Sequence, residues 1–317
     1  MMNKIKPKLI AIVGPTASGK SSVAIALAKK INGEVVSADS AQVYRGLNIG
    51  TAKVTREEAQ GIPHHLIDIV GPETEYNIGL FQNDAQKAIS EITSRQKIPI
   101  LCGGSGLYVN SVINTGYELG ESVPDPRQRQ EWMAIEKTEG AGTLHRILTE
   151  RFPNRAQKIH PHDYQRILRA LEMKTDLQSV ETNIHWESPY DLEIYGLTME
   201  RGYLYQRIEH RVEEMFQQGL IKEVRNALEM GYRPGGNALN ALGYKEILPI
   251  LNNTYDETYG RELLKKNTRH FAKRQLTWFR RDPRIQWLDM ETFKQGTETA
   301  EYILRNSSCK KQESNNF

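Results

Sequence analysis

Residues 9–31 read LIAIVGPTASGKSSVAIALAKKI, and three signals follow one another there without a gap. Leu9–Val13 is a short continuous apolar run, the composition of a strand buried on both faces. Lys20–Ile31 places Val23, Leu27 and Ile31 at helical spacing. Between them Gly14, Pro15, Thr16, Ala17, Ser18, Gly19, Lys20 and Ser21 match G-x-x-x-x-G-K-[ST] in full, in the strand–turn–helix setting that the motif requires. Glycines there let backbone N–H groups curl around a phosphate, and the helix N-terminus adds partial positive charge. Lys20 supplies a full charge to the outer phosphate oxygens, and the Ser21 hydroxyl is the expected ligand for Mg²⁺. A di- or triphosphate site is therefore expected; the motif does not say whose.

Outward from this unit, apolar strand candidates alternate with helical stretches: Glu34–Ala38, His65–Val70 and Ile98–Cys102 as strands, Asn77–Arg95 as a helix. Such a βα rhythm indicates a parallel sheet covered on both faces. It breaks after about Asn114, and residues 115–190 offer polar, helical pieces with no convincing strand. Strand character returns at Leu192–Thr198. Helices are expected at 201–218, 219–230, 240–251 and 256–281, with a late strand at Ile285–Leu288. The expected organisation is an α/β core of residues 1–114 and 191–306, a helical insertion at 115–190 and a disordered tail at 307–317.

Composition narrows the class. The chain has 317 residues, 38% of them hydrophobic, with a mean hydropathy of −0.58, and its longest uncharged run, Ile98–Tyr117, holds a proline and four glycines. That excludes a spanning helix and wholesale disorder. The apolar run near the N-terminus is too short for a secretory signal, and two cysteines build no disulfide framework, so a cytoplasmic protein is expected. The net charge of +3 hides an asymmetry. Residues 261–284 carry nine Lys/Arg against two acids, a net of +7, which leaves −4 for the rest. On a helical wheel Lys266, Arg269, Lys273 and Arg280 fall within about 60° of one another, opposite Leu264, Phe271 and Trp278. One cationic stripe on an amphipathic helix favours a polyanionic partner, RNA above all.

Several motifs beyond the phosphate loop then line up in order: DSAQVYRGLNIGTAKV (39–54), PHHLIDI (63–69), GGSGLYV (103–109), DYQRILRALE (163–172), NALGYKE (240–246) and NTRHFAKRQLTWFRR (267–281). With GPTASGKS they resemble the tRNA dimethylallyltransferases, also called tRNA isopentenylpyrophosphate transferases, of the bacterial type, over about Leu9 to Leu288. The resemblance implies a P-loop NTPase-like fold and transfer of a dimethylallyl group from dimethylallyl diphosphate to N6 of the adenosine just 3′ of the tRNA anticodon, with diphosphate released. It implies Asp39 as the base on N6, with Lys20 and Ser105 beside it in catalysis, and the loop 14–21 on the diphosphate, Thr16 included. Ser40, Ala41 and Gln42 would face the adenine, a Gln amide being able to pair with its N6 and N7 edges. Ser105 stands where many relatives have Thr, keeping the hydroxyl. Arg225 carries over as a second diphosphate contact, against the alternative of a solvated ion pair with Glu223 and Glu229. Arg127, Gln165, Arg166, Ile167, Leu168 and Arg169 match the family's anticodon stem-loop contacts, and Lys266, Arg269 and Lys273 of the cationic stripe are expected to bind tRNA as well.

The chemistry suits these residues. An exocyclic adenine amine is a poor nucleophile, and a carboxylate that takes its proton as attack develops helps by about 10²–10⁴-fold. Charge builds on the departing diphosphate, where the lysine, the metal and the loop amides are aimed. An ATP-dependent small-molecule kinase of P-loop fold is the alternative, and an RNA-binding nucleotide switch is a third class. A monomer without membrane contact is expected. His64, His65, His160 and His162 lack the companion ligands of a metal centre.

Overall fold

The computed structural model describes residues 6–116, 125–173, 186–293 and 295–308. Six strands, β1 (Lys8–Val13), β2 (Gly33–Ser37), β3 (His64–His65), β4 (Ile98–Gly103), β5 (Asp191–Thr198) and β6 (Ile285–Asp289), form one parallel sheet in the order β3-β2-β4-β1-β5-β6. In β1 the side chains alternate between two cores. Leu9, Ala11 and Val13 pack with Phe81, Val109 and Leu264 on one face, while Ile10 and Ile12 pack with Val23, Leu27 and Tyr195 on the other. A strand covered on both sides needs apolar residues at every position, which is why Leu9–Val13 reads as an unbroken run.

In chain order the helices are α1 (Lys20–Lys30), α2 (Arg56–Ala59), α3 (Ile78–Ser94) and α4 (Gly106–Ile113), then α5 (Pro126–Glu139), α6 (Thr143–Arg151), α7 (Pro153–Ala156) and α8 (Tyr164–Leu171), and finally α9 (Arg201–Gln217), α10 (Leu220–Glu229), α11 (Leu248–Leu251), α12 (Glu257–Phe279) and α13 (Gly296–Asn306). Contacts divide the chain into two compact units, Met1–Asn114 with Trp186–Phe317, and Thr115–His185. The second unit has its own small core of Trp132, Leu144, Leu148, Ile167, Leu168 and Leu171, and Glu172 accepts both Nε (2.5 Å) and Nη2 (2.9 Å) of Arg129. The first unit resumes at Trp186, earlier than residue 191. Arg284 explains it: one guanidinium donates to the Trp186 carbonyl (2.9 Å) and to Asn114 Oδ1 (2.7 Å), holding together the two points at which the chain leaves and re-enters this unit.

Three expectations need correction. His65–Val70 is not a strand beyond His65, because Leu66 and Asp68 adopt left-handed backbone, φ 64° and 56°, which no extended strand tolerates. Residues 240–251 are mostly turns, with helix only at α11. Residues 307 and 308, expected in the disordered tail, are ordered: Ser307 is buried and the Ser308 amide donates to Glu193 at 2.9 Å. The remainder of the expected tail, 309–317, and the ends of the second unit, 117–124 and 174–185, lie outside the described residues.

Candidate active site

The sheet register sets the site. Val13 pairs with Gly103 across β1–β4, and Ser37 with Cys102 across β2–β4, so three strands end level with one another. The segments leaving them carry Gly14–Ser21, Asp39–Gln42 and Gly104–Ser105 to one edge, where ligands of open α/β sheets are bound. A cavity of about 500 Å³ opens there, lined by Thr16, Lys20, Ser21, Asp39, Ser40, Ala41, Gln42 and Ser105. Its far wall comes from α9 and α12 through Ile208, Arg211, Val212, Thr268, Phe271 and Arg274, among others.

The phosphate loop owes its path to residues that accept unusual backbone. Gly14 (φ 144°) and Gly19 (φ 91°) lie in the region glycine tolerates, and Ala17 is held at φ 62°. At Gly14 a Cβ would stand 2.7 Å from the Leu197 carbonyl oxygen, so no other residue fits between β1 and β5. The Lys20 ammonium donates to the Pro15 carbonyl at 2.6 Å, and Ser18 is buried against Gly14. Burial and then repulsion from Arg211 bring the Lys20 pKa down to about 8, while Cys102 and Asp39 pull it the other way. Cys102, on β4, is pushed up to about 11 by burial.

Asp39 lines the same cavity, and its field raises the pKa of Lys20. Its Oδ1 accepts the Ala41 amide at 2.9 Å, a local turn that fixes the carboxylate at the mouth of β2. The Ser105 hydroxyl accepts the Ser40 amide at 3.3 Å and joins the two loops. Gln42 is tied at both ends, accepting from Ser37 Oγ at 3.0 Å and donating to the Thr51 carbonyl at 3.3 Å. Its amide is thus oriented by the protein before any base arrives.

Two arginines that the motifs had not flagged complete the cationic end. Arg211 Nη1 donates to Thr16 Oγ1 at 3.1 Å, and Arg207 Nε donates to the Ala17 carbonyl at 2.8 Å. Burial lowers the Arg211 pKa against the favourable field of Asp39. The sequence held one trace of them, an i, i+4 arginine pair in a helix segment otherwise rich in glutamate. Gln275 on α12 was also missed; its Oε1 accepts the Thr16 amide at 2.8 Å.

Other expected residues lie elsewhere. Arg225 is exposed on α10 and outside the cavity lining, and its expected ion-pair partner Glu223 is turned inward, accepting the amides of Asn48, Ile49 and Gly50. Ile167 and Leu168, 0% and 6% exposed, point into the core of the second unit, so their side chains present nothing to a partner. Gln165 and Arg166 are exposed beside them, Arg169 reaches Glu172 at 3.2 Å, and Arg127 is exposed on α5. Across residues 261–284 many of the charged side chains are paired within the protein. Arg261 and Lys265 pair with Glu213, Arg269 pairs with Glu209 at 2.5 Å, and Arg284 with Asp282. Lys266 and Lys273 are exposed and make no ion pair among the described residues. The buried stripe is Gly260, Leu264, Thr268, Ala272, Gln275 and Phe279, with Phe271 and Trp278 at its edge; the helix is rotated by roughly 50° from the orientation that hydrophobicity alone implies.

Among the described residues no cluster of three or more His, Cys, Asp or Glu could hold a metal ion, and no helix is long and apolar enough to cross a membrane. Ser21 offers a single hard oxygen on the cavity wall. That donor set suits Mg²⁺ carried by phosphate oxygens and water, which needs only one or two protein ligands.

The family model described as IPP transferase matches residues 42–282. A tRNA dimethylallyltransferase of Carboxydothermus hydrogenoformans is 50% identical over 290 residues, 89% of this chain and 92% of that protein. One from Halalkalibacterium halodurans is 45% identical over 291 residues, 90% and 92% of the two chains. The crystal structure of the full-length tRNA isopentenylpyrophosphate transferase of Bacillus halodurans superposes with a TM-score of 0.71 at 42% identity, covering 98% of this chain and all of that one. A eukaryotic dimethylallyltransferase caught acting on tRNA superposes with a TM-score of 0.74 at 29% identity, over 97% of this chain and 77% of that chain. None of these relatives is a kinase, the sheet and its phosphate loop are those of the P-loop NTPase-like fold, and the chain belongs to the tRNA dimethylallyltransferases, a family of prenyl-transferring enzymes.

Proposed function

We propose that this enzyme transfers the dimethylallyl group of dimethylallyl diphosphate to N6 of the adenosine 3′-adjacent to the anticodon of tRNA. The observation that carries the reading is the polarity of one cavity. Lys20 and Arg211 are held at the phosphate loop, and the Asp39 carboxylate lines the same cavity, where its field favours the charged form of both. A cation-rich end suits a leaving group that gains charge, and a carboxylate suits a nucleophile that must lose a proton.

Adenine N6 attacks the allylic carbon while the bond from that carbon to the diphosphate oxygen breaks. The N6 proton passes to Asp39, and the bond electrons leave with diphosphate. Lys20, Arg211 and the turn at Thr16–Gly19 hold the diphosphate; Ser40, Gln42 and Ser105 position the base. Mg²⁺, held by Ser21 Oγ and the diphosphate, would add charge neutralisation to the leaving group. N6 is stacked or shielded inside the anticodon loop, so the adenosine must flip out to reach Asp39. The apolar wall of Ile208, Val212 and Phe271 excludes water from the allylic centre. The exposed Lys266 and Lys273 supply phosphate contacts to the stem-loop; in the second unit, taken by itself, Arg127, Gln165 and Arg166 are exposed and available to RNA. The enzyme acts in the cytoplasm, as a monomer.

Incubating the enzyme with tRNA, Mg²⁺ and dimethylallyl diphosphate, then digesting the tRNA to nucleosides, tests the proposal by mass spectrometry. A prenylated adenosine formed without ATP is expected. ATP consumption with no modified nucleoside would overturn it.

A further inference from the structure

Gln275 lies on α12, about 260 residues along the chain from the phosphate loop, and is 7% exposed. Its two polar atoms are both used. Oε1 accepts the Thr16 amide at 2.8 Å, and Nε2 donates to the Gly104 carbonyl at 3.0 Å. The amide therefore spans from the loop expected to hold the diphosphate to the loop that carries Ser105, whose hydroxyl in turn holds the Ser40 amide beside Asp39.

Gly104 is shaped around this bridge. A Cβ at that position would stand 2.3 Å from Gln275 Nε2, whereas the neighbouring Gly103 is demanded by different atoms, the Ala38 carbonyl at 2.1 Å. The two adjacent glycines thus have separate causes, and the second is there so that the glutamine can come close. A polar side chain turned into the buried stripe of a helix is unfavourable unless both ends are satisfied. Here both are satisfied, by backbone of the two active-site loops.

We infer that Gln275 is a positioning residue: it sets the separation between the phosphate loop and the Asp39–Ser105 side of the cavity, and hence the distance from the leaving diphosphate to the attacking amine. The inference rests on the transfer reaction proposed above. Displacement of reacting groups by about 1 Å can cost on the order of 100-fold in rate, so the loss should appear in turnover with both substrates saturating, while tRNA binding through the outer face of α12 is preserved.

Three variants test it. Gln275→Met keeps the volume and removes both hydrogen bonds. Gly104→Ala displaces the amide without altering it. Gln275→Glu keeps the acceptor for Thr16 but regains the donor to Gly104 only when protonated, since a carboxylic acid reproduces the amide pattern. Measured as kcat per folded enzyme, well below the thermal midpoint, Met and Ala should each lower turnover about 10- to 100-fold and change the tRNA dissociation constant by less than about threefold. The double variant should be scarcely worse than either single, because one bridge is lost in both. For Glu, kcat relative to wild type should rise as pH is lowered from 8 to 6, whereas the same ratio for Met stays flat. Wild-type kcat in folded Gln275→Met, or a Glu ratio that does not depend on pH, would overturn the inference and leave the transfer reaction intact. A wild-type enzyme that makes no prenyl-adenosine under the same conditions would instead sink the reaction itself.

Discussion

The phosphate loop and the outer face of α12 are both cationic, yet they are built in opposite ways. At the loop every charge is fixed: Lys20 is bonded to the Pro15 carbonyl, Arg207 to the Ala17 carbonyl and Arg211 to Thr16, beside a backbone whose unusual angles leave it one path. On α12 Lys266 and Lys273 project into solvent, and Arg261, Lys265 and Arg269 are committed to glutamates of α9 and to their own helix. Fixed charges suit a small leaving group whose geometry never varies, because nothing has to reorganise during reaction. Solvent-exposed charges with no ion pair among the described residues suit a polyanion met over a large surface, where release of counterions dominates and no single contact must be exact in place.

The contrast can be broken, and the largest effect is expected at the carboxylate that shares the loop's cavity. Asp39→Asn keeps the shape of the site and removes its basicity. Single-turnover transfer at saturation should fall about 10²–10⁴-fold, with tRNA affinity altered less than tenfold; a near-wild-type rate would make Asp39 a mere turn-former. Next comes Lys20→Ala, which deletes one fixed charge on the leaving group. By comparison with the loss of single oxyanion donors, a 10²–10³-fold drop in turnover is expected, and normal turnover would remove the loop from the mechanism.

A pH profile gives a smaller but more specific effect. Burial brings Lys20 down to about 8, so its charged form, the one that grips diphosphate, is lost as pH rises through that value. For the free enzyme, kcat/KM for the prenyl donor should therefore show a falling limb near pH 8, steepening towards tenfold per unit, and Lys20→Arg should remove the limb. The same depression has the opposite sign for folding. Between about 8 and the unperturbed 10.5 the unfolded chain binds the extra proton, so stability attributable to this group rises with pH across that window. The smallest effect belongs to the exposed face of α12. Replacing Lys266 and Lys273 with Gln should flatten the salt dependence of tRNA binding by about 0.7–0.9 of a log unit per contact. Arg269→Gln should change it by less than about half that amount, because its guanidinium is already paired with Glu209. Equal slopes for all three would mean that pairing within the protein does not limit contact with RNA.

The same two regions show what a sequence reveals. Strand, glycine loop and helix are consecutive, so local backbone chemistry writes the phosphate site into eight adjacent letters. Asp39 and Ser105, which the family motifs carried, line the same cavity. Arg211 and Gln275 are 195 and 259 positions from their partner Thr16, and no local pattern marks a side chain whose meaning arises only when helix meets loop. Charge counting overstated the RNA face for the same reason, since Glu209 and Glu213 lie outside the basic segment that they neutralise. Arg225 shows the reverse case: on α10 it is exposed and outside the cavity lining, while Glu223 two residues earlier faces in.

Arg284 belongs to the basic segment 261–284, yet its guanidinium is taken up by Asp282, Asn114 and the Trp186 carbonyl, with the Trp186 ring 5.1 Å away. One side chain thus pins the exit and the return of a seventy-residue excursion to the same spot on the sheet. Chain inserted between two pinned ends is charged only for loop closure, and doubling its length costs about 0.6 kcal/mol. The sheet and the cavity are therefore indifferent to how long that excursion is or what it folds into. Such an arrangement lets descendants lengthen, trim or exchange the inserted region to suit different RNAs without renegotiating the chemistry, and Arg284 is the clasp that makes the exchange cheap.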